Sequence, residues 1–315
     1  MVTVSAQPRV EEPQVPARPS KARGPNTRRR FAAFGYLSPT VVLLIMLMAT
    51  PVAMVIGYSV FDNVITNRNP QLVGTANYVE ILGDSAFWNA ARNTAVFTIV
   101  SVVVHLVLGL VFAMLLNTEL IGRRLRAAFR VVLILPWLFT IAIVAVLWRM
   151  LLNPHGVVNY VLNTAGLDVG LTDWLGEPSL ALAAVTFINI WAGYPFYMIS
   201  LLAGLQGIPA DLYEAAKVDG ASPWQRFWNV TIPQLRPLLI SLALLDVIWT
   251  SQQFALIWMT TGGGPIGATE VLSTYTYKLA FSRYEFALAS TSAVVILLAS
   301  LVLAVFYARS QKMRD

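Results

Sequence analysis

The 315-residue chain contains no cysteine. Disulfides, thiol nucleophiles and Cys-based metal sites are therefore excluded. Charge is the second scarcity. Only 12% of the residues are charged and 57% are hydrophobic, whereas a soluble domain carries about a quarter charged residues. So few charges cannot solvate a globule of this size, and lipid is the expected solvent. Histidine occurs only at His105 and His155. An integral-membrane enzyme would need paired histidines or an acidic cluster, and neither is present. No Walker-type phosphate loop occurs, so the chain is not expected to hydrolyse ATP. A clear internal repeat is missing too, which counts against a secondary transporter built from repeated halves.

What is present is long apolar runs. Residues 1–32 form a Pro- and Arg-rich tail that ends in Arg28, Arg29 and Arg30. It cannot bury enough to order itself, and disorder is expected. No charge then occurs from Phe31 to Phe61, far longer than a signal-peptide core. A spanning helix needs about 20 mostly apolar residues. Stretches 33–60, 93–116, 129–150, 181–205, 237–258 and 286–308 meet that length. The expected fold is an all-α integral membrane protein, a six-span helical bundle over 33–308, with a short tail at 309–315. Pro39, Pro51, Pro136 and Pro195 fall inside spans, where neighbouring helices can satisfy the freed carbonyls.

Lys and Arg set the orientation. Most of them lie in the N-terminal tail, around Arg123–Arg130, at Lys217, Arg226 and Arg236, and after Arg309. The opposite side holds Arg68, Arg92, Arg149, Lys278 and Arg283. Both termini are therefore expected in the cytoplasm, together with a polar insert at about 207–237.

That insert reads DLYEAAKVDGASPWQRFWNVTIPQLRP from Asp211 to Pro237. Asp211 and Glu214 have the spacing of a capping box. Ala215, Ala216 and Lys217 continue a helix, and Gly220 supplies the left-handed residue that ends it. Ser222 and Pro223 start a second helix as cap and first-turn proline. Trp224, Phe227, Trp228 and Val230 give it an apolar side, and Pro233 and Pro237 are expected to close it. Two short helices along the membrane surface could cover the bundle or dock a cytoplasmic partner.

The segment resembles the EAA loop of ABC importer permeases. Glu214-Ala215-Ala216, Asp219-Gly220-Ala221 and Thr231-Ile232-Pro233 carry the likeness, with Ile232-Pro233 where relatives have Leu-Pro. NTAVFTIV from Asn93, LGLVFAMLLN from Leu108, LPW at Leu135, GVVNYVL from Gly156 and TGGGP from Thr261 extend it. The TGGGP stretch is similar to the outer loop of MalF-like subunits of carbohydrate importers. Relatives carry Phe-Asp before those glycines; here Ala255 follows Phe254. The resemblance implies a type I importer, MetI-like, transmembrane domain in the bacterial inner membrane. It implies a MalG-like second permease, two ATPase subunits that handle ATP and Mg, and an external solute-binding protein. Glu214, Ala215, Ala216, Asp219, Gly220 and Ala221 would couple to the ATPase, Glu214 by a charged contact. The solute would be a carbohydrate or, alternatively, glycerol phosphate or another polyol derivative. The chain itself is expected to bind no cofactor and no nucleic acid.

The candidate solute residues lie in the fourth and fifth spans. Asp246, Trp249 and Gln253 fall on one helical face, as do Asn189, Gly193 and Tyr197. Together they offer hydrogen-bonding groups and flat rings, which sugars need. The alternative is polar glue between helices. His105 stands alone in the second span, and a packed or helix-bonded histidine, not a ligand, is expected there. His155 reads as loop.

Overall fold

The computed structural model describes residues 27–118 and 122–312, and all described regular structure is helical. In chain order the elements are α1 Thr27–Leu44, α2 Thr50–Tyr58, α3 Ala76–Gly83, α4 Ser85–Asn117, α5 Arg123–Leu138, α6 Ile141–Leu151 and α7 Val157–Thr164. They continue with α8 Ala181–Gln206, α9 Ala210–Val218, α10 Pro223–Arg226, α11 Ile232–Ser251, α12 Ala255–Thr260, α13 Leu272–Phe281 and α14 Phe286–Lys312. Among the described residues five helices are long and apolar enough to cross a membrane, or six if the bent pair α5–α6 is one span.

The chain divides into two compact units, 1–53 and 54–315. In the first, α1 begins inside the stretch expected as tail; residues 1–26, the rest of that tail, lie outside the described residues. A π segment, Ile45–Ala49, joins α1 to α2.

The second unit is organised around α4 and α8, its most extensive helix pair. Gly109 permits the close crossing. A Cβ there would lie 2.7 Å from Tyr197 Cβ and 3.0 Å from the Met198 amide. Met198, Leu201 and Leu235 are fully buried beside it, so α11 closes the same core. Remaining apolar surface faces outward, as lipid requires.

Three sequence expectations need correction, and the first two trace to proline. The third span is not straight. α5 and α6 meet at 98°. Pro136 lacks an N–H in the last turn of α5, and Phe139 and Thr140 are extended. Thr140 then caps a new helix by accepting the Ile143 N–H at 3.4 Å. The second helix of the insert is not closed by Pro233 and Pro237. It runs from Pro223 through a π segment, Phe227–Thr231, directly into α11. Pro233 has no N–H for residue 229, and the Ile232 amide instead reaches the Phe227 carbonyl. Pro51 follows the other π segment at the same spacing, with the Thr50 amide on the Ile45 carbonyl. The fifth span also ends early, at Ser251, and Ser273 Oγ donates to the Gln253 carbonyl beyond it at 2.8 Å.

The segment between α11 and α14 packs on the start of α4. Asn93 Nδ2 donates to the carbonyls of Gly267, Ala268 and Glu270 at 3.0–3.2 Å. Gly262, Gly263 and, two residues past TGGGP, Gly267 all have positive φ, and TGGGP forms a tight loop. Lys278 pairs with Glu270 beneath Gly263. Tyr275 Oη donates to Asp84 Oδ2 at 2.7 Å. Burial and then that bond push the Tyr275 phenol above its ordinary 10.0.

Candidate functional site

The five solute candidates line one cavity of about 190 Å³. Asn189 and Tyr197 come from α8, and Asp246, Trp249 and Gln253 from α11 and its end. Trp137, Phe196 and Thr250 complete the wall. The cavity has a deep polar end and an open aromatic end. Asp246, His105, Asn189 and Tyr197 are buried, whereas Trp249 is 56% exposed. Phe196 joins Trp137 to Trp249, at ring distances of 6.1 and 5.7 Å.

His105 is buried and bonded to neighbouring helices, in keeping with the sequence expectation. Its Nδ1 lies 2.8 Å from Asp246 Oδ2 and its Nε2 lies 3.2 Å from the Asn189 carbonyl. Thr250 Oγ1, one turn after Asp246, donates to Oδ1 at 2.6 Å. Asn189 Nδ2 donates to Ser101 Oγ at 3.0 Å. The imidazole also stacks on Tyr197 at 4.9 Å and 11°. The network therefore ties α4, α8 and α11 together. A signal for it was in the sequence: two ionisable groups in separate span cores usually pair.

Gly193 makes the network possible. A Cβ at Gly193 would overlap the His105 ring. Gly193→Ala is expected to push the imidazole off Asp246 and lower uptake about tenfold, since overpacking costs about 1–3 kcal/mol. Uptake per assembled complex measures this. Wild-type uptake in Gly193→Ala would mean that the ring can move freely.

The insert presents the second candidate surface. The expected capping box at Asp211 and Glu214 does not form. The helix starts two residues earlier, with Pro209 at the N-cap and no side-chain cap bond. Glu214 is thereby left exposed, as are Asp211, Leu212, Ala215 and Asp219. The C-terminal end matches its reading. Gly220 has φ +77°, the Gly220 amide donates to the Lys217 carbonyl at 3.1 Å, and the Ala221 amide to the Ala216 carbonyl at 2.9 Å. The second of these closes the helix end in the manner of a Schellman motif. Ser222 Oγ then accepts the Gln225 N–H at 3.3 Å, and Gln225 Oε1 accepts the Ser222 N–H at 2.7 Å. Tyr213 Oη and Thr231 Oγ1, 2.9 Å apart, fasten α9 to the π segment that leads into α11. Val218 and Trp224 stand out at 88% and 68% exposure. The insert thus presents exposed apolar and acidic side chains together.

Residues 105–315 match the family described as binding-protein-dependent transport system inner membrane component. The chain belongs to that family. The trehalose/maltose transport system permease protein MalF of Thermococcus litoralis is 37% identical to it over 259 residues, 81% of this chain and 85% of that protein. A chain from a bacterial ABC transporter involved in import of the acidic polysaccharide alginate matches with TM-score 0.77 and 25% identity, covering 91% of this chain and 98% of that one. A chain of the inward-facing methionine transporter MetNI shares the fold, with TM-score 0.51 and 19% identity over 71% of this chain and 94% of that one. The protein is thus a multi-pass permease subunit, MalF-like in family and MetI-like in fold. Such a permease carries no ATPase domain of its own; ATP and Mg belong to partner subunits. Among its described residues no group of three or more His, Asp or Glu could hold a metal.

Proposed function

We propose that this permease conducts a neutral carbohydrate, received from an external solute-binding protein, along the cavity between α8 and α11. A role in ABC import of sugar- or polysaccharide-type solutes follows from its relatives, which include a trehalose/maltose permease and an alginate importer. The finer choice rests on one observation. Among the described residues no Lys or Arg lines the cavity, and its ionisable pair, His105 and Asp246, is engaged internally. An acidic saccharide or a glycerol phosphate would need a free cation there. Trp249 and Gln253 remain open to a solute, the ring for its apolar face and the amide for its hydroxyls. At about 190 Å³ the cavity is smaller than the roughly 300 Å³ at which ligand sites begin. A MalG-like second permease would supply the remaining wall.

The coupling reading uses the other surface. Both termini and α9 face the cytoplasm by the Lys and Arg distribution. Glu214, Ala215, Ala216, Asp219, Gly220 and Ala221 form the dock for one of two ATPase subunits. Because the helix from Pro223 continues into α11, a push on this dock moves the helix that carries Asp246 and Trp249 and ends just before Gln253. Only the Gly220–Ser222 turn lies between the dock and that helix, and ATPase closure reaches the cavity wall through it.

The test is reconstitution. The purified subunit alone should neither bind nor hydrolyse ATP. With its partners in proteoliposomes it should import neutral disaccharides and reject uronate and phosphorylated sugars. Preferred import of an acidic sugar would overturn the neutral-solute reading. ATP hydrolysis by the subunit alone would overturn the permease reading.

A further inference from the structure

Four aromatic rings form a continuous ladder beyond the end of α11 opposite the coupling insert. Phe281, at 60% exposure, is its outer rung. It contacts Tyr277 at a centroid distance of 4.8 Å, and Tyr277 contacts Trp258 at 4.6 Å and Phe254 at 5.0 Å. Trp258 and Phe254 stack at 5.6 Å and 16°. Tyr277, Trp258 and Phe254 are all partly exposed. The rings come from α13, α12 and the residue that caps α12, and the inner rung, Phe254, directly follows Gln253 of the cavity wall in the chain. Ser273 Oγ holds the Gln253 carbonyl, so the start of α13 is pinned to the cavity edge.

Among the described residues the polar edges of these rings are free. Some aromatic donors elsewhere in the chain go to protein, while others, such as the buried Trp148 Nε1, do not. Trp88 Nε1 donates to the Leu82 carbonyl, Trp174 Nε1 to Asn159 Oδ1, and Tyr275 Oη to Asp84. Among the described residues Trp258 Nε1 and Tyr277 Oη have no hydrogen-bond partner, and neither atom is sealed from its surroundings. An aromatic belt at the lipid surface also leaves such edges free. Belt residues, however, stand separately at headgroup depth. These rings touch one another across two helices, and Phe254 adjoins Gln253 of the cavity wall in the chain.

We infer that Phe281, Tyr277, Trp258 and Phe254 form an entry track for the carbohydrate, between the docked binding protein and the cavity. A pyranose presents C–H groups on its faces and hydroxyls at its rim. Successive rings offer flat apolar faces, while Tyr277 Oη and Trp258 Nε1 meet the hydroxyls. Each ring receives the sugar as it leaves the ring before, so the sugar is passed along without a deep trap. The track rests on the proposal that this permease carries a neutral sugar.

The experiment uses the whole complex in proteoliposomes, with a panel of tritiated neutral disaccharides and the loaded binding protein. Uptake per assembled complex should fall about fivefold to tenfold in Trp258→Leu and Tyr277→Leu, equivalent to one ring contact of about 1 kcal/mol or slightly more. Tyr277→Phe keeps the ring and should recover most of the rate. A second measurement needs no variant. Hydroxyl-radical footprinting of the wild-type complex should show Trp258 and Tyr277 shielded more by sugar-loaded than by sugar-free binding protein. Wild-type import that is unchanged in both Leu variants overturns the track alone. So does a loss confined to complex yield, which would assign the ladder to packing against the second permease. Shielding that does not depend on sugar overturns it as well. If the wild-type complex imports none of the neutral sugars, the functional proposal falls and takes the track with it.

Discussion

Replacing Asp246 with alanine is expected to reduce the yield of assembled transporter at least about tenfold. The carboxylate is 2% exposed and its partner His105 is 3% exposed, so neither can turn to solvent when the other is removed. Removing one member of a buried pair typically costs about 3–5 kcal/mol in a soluble protein. Single interhelical polar contacts in membranes average nearer ~0.6 kcal/mol. The larger figure is the better guide here. Three helices meet at this point, and the change strands both His105 Nδ1 and Thr250 Oγ1. His105→Leu combined with Asp246→Leu removes both polar groups and should restore the yield, because an apolar replacement of a whole buried pair is often neutral. Uptake per complex then separates the two roles. If the double variant assembles but imports poorly, the pair shapes the solute path. If it imports like wild type, the pair only holds helices together, and Trp249 and Gln253 must carry the solute contact by themselves.

This pair shows where the sequence is legible and where it is not. The face shared by Asp246, Trp249 and Gln253, and the one shared by Asn189, Gly193 and Tyr197, follow from helical spacing, and the structure brings both to one cavity. Spacing on one helix says nothing about which helix lies opposite. In sequence His105 therefore reads as solitary, and Gly193 as one more position on a polar face rather than the space that an imidazole fills. The span count is legible from apolar length. The 98° break after Leu138 is not, because proline inside a span is normally tolerated and only the extended pair Phe139-Thr140 shows that it is not absorbed here. The same limit hides the π segments. Pro51 and Pro233 signal a missing hydrogen bond. A widened turn upstream, rather than a helix end, is the response that keeps a long helix unbroken.

Gly220→Val is expected to uncouple the transporter while leaving its membrane insertion intact. Gly220 sits at φ +77° in the turn that carries the chain from α9 toward Ser222. The left-handed region costs an ordinary residue about 1–2 kcal/mol, and a β-branched side chain more. No atom lies within 4 Å of where a Cβ at this glycine would sit, so the penalty is one of backbone conformation and not of crowding. The corner relieves that strain by leaving φ > 0, which breaks the Ala221–Ala216 hydrogen bond and swings α9 relative to Trp224. Neither α8 nor α11 depends on that bond, so the spans should insert and the cavity should form. The ATPase should co-purify at a small fraction of the wild-type amount, and uptake should fall with it. Gly220→Asn is the control. Asparagine enters the left-handed region more readily than other side chains, so it should retain most of the co-purification. Equal losses in Val and Asn variants would point to contact at position 220 itself rather than to the shape of the corner. Full ATPase recovery and uptake in Gly220→Val would remove this turn from the dock. Exposed Glu214 on α9 and Trp224 at the head of the helix leading into α11 would then have to hold the ATPase without a fixed angle between them.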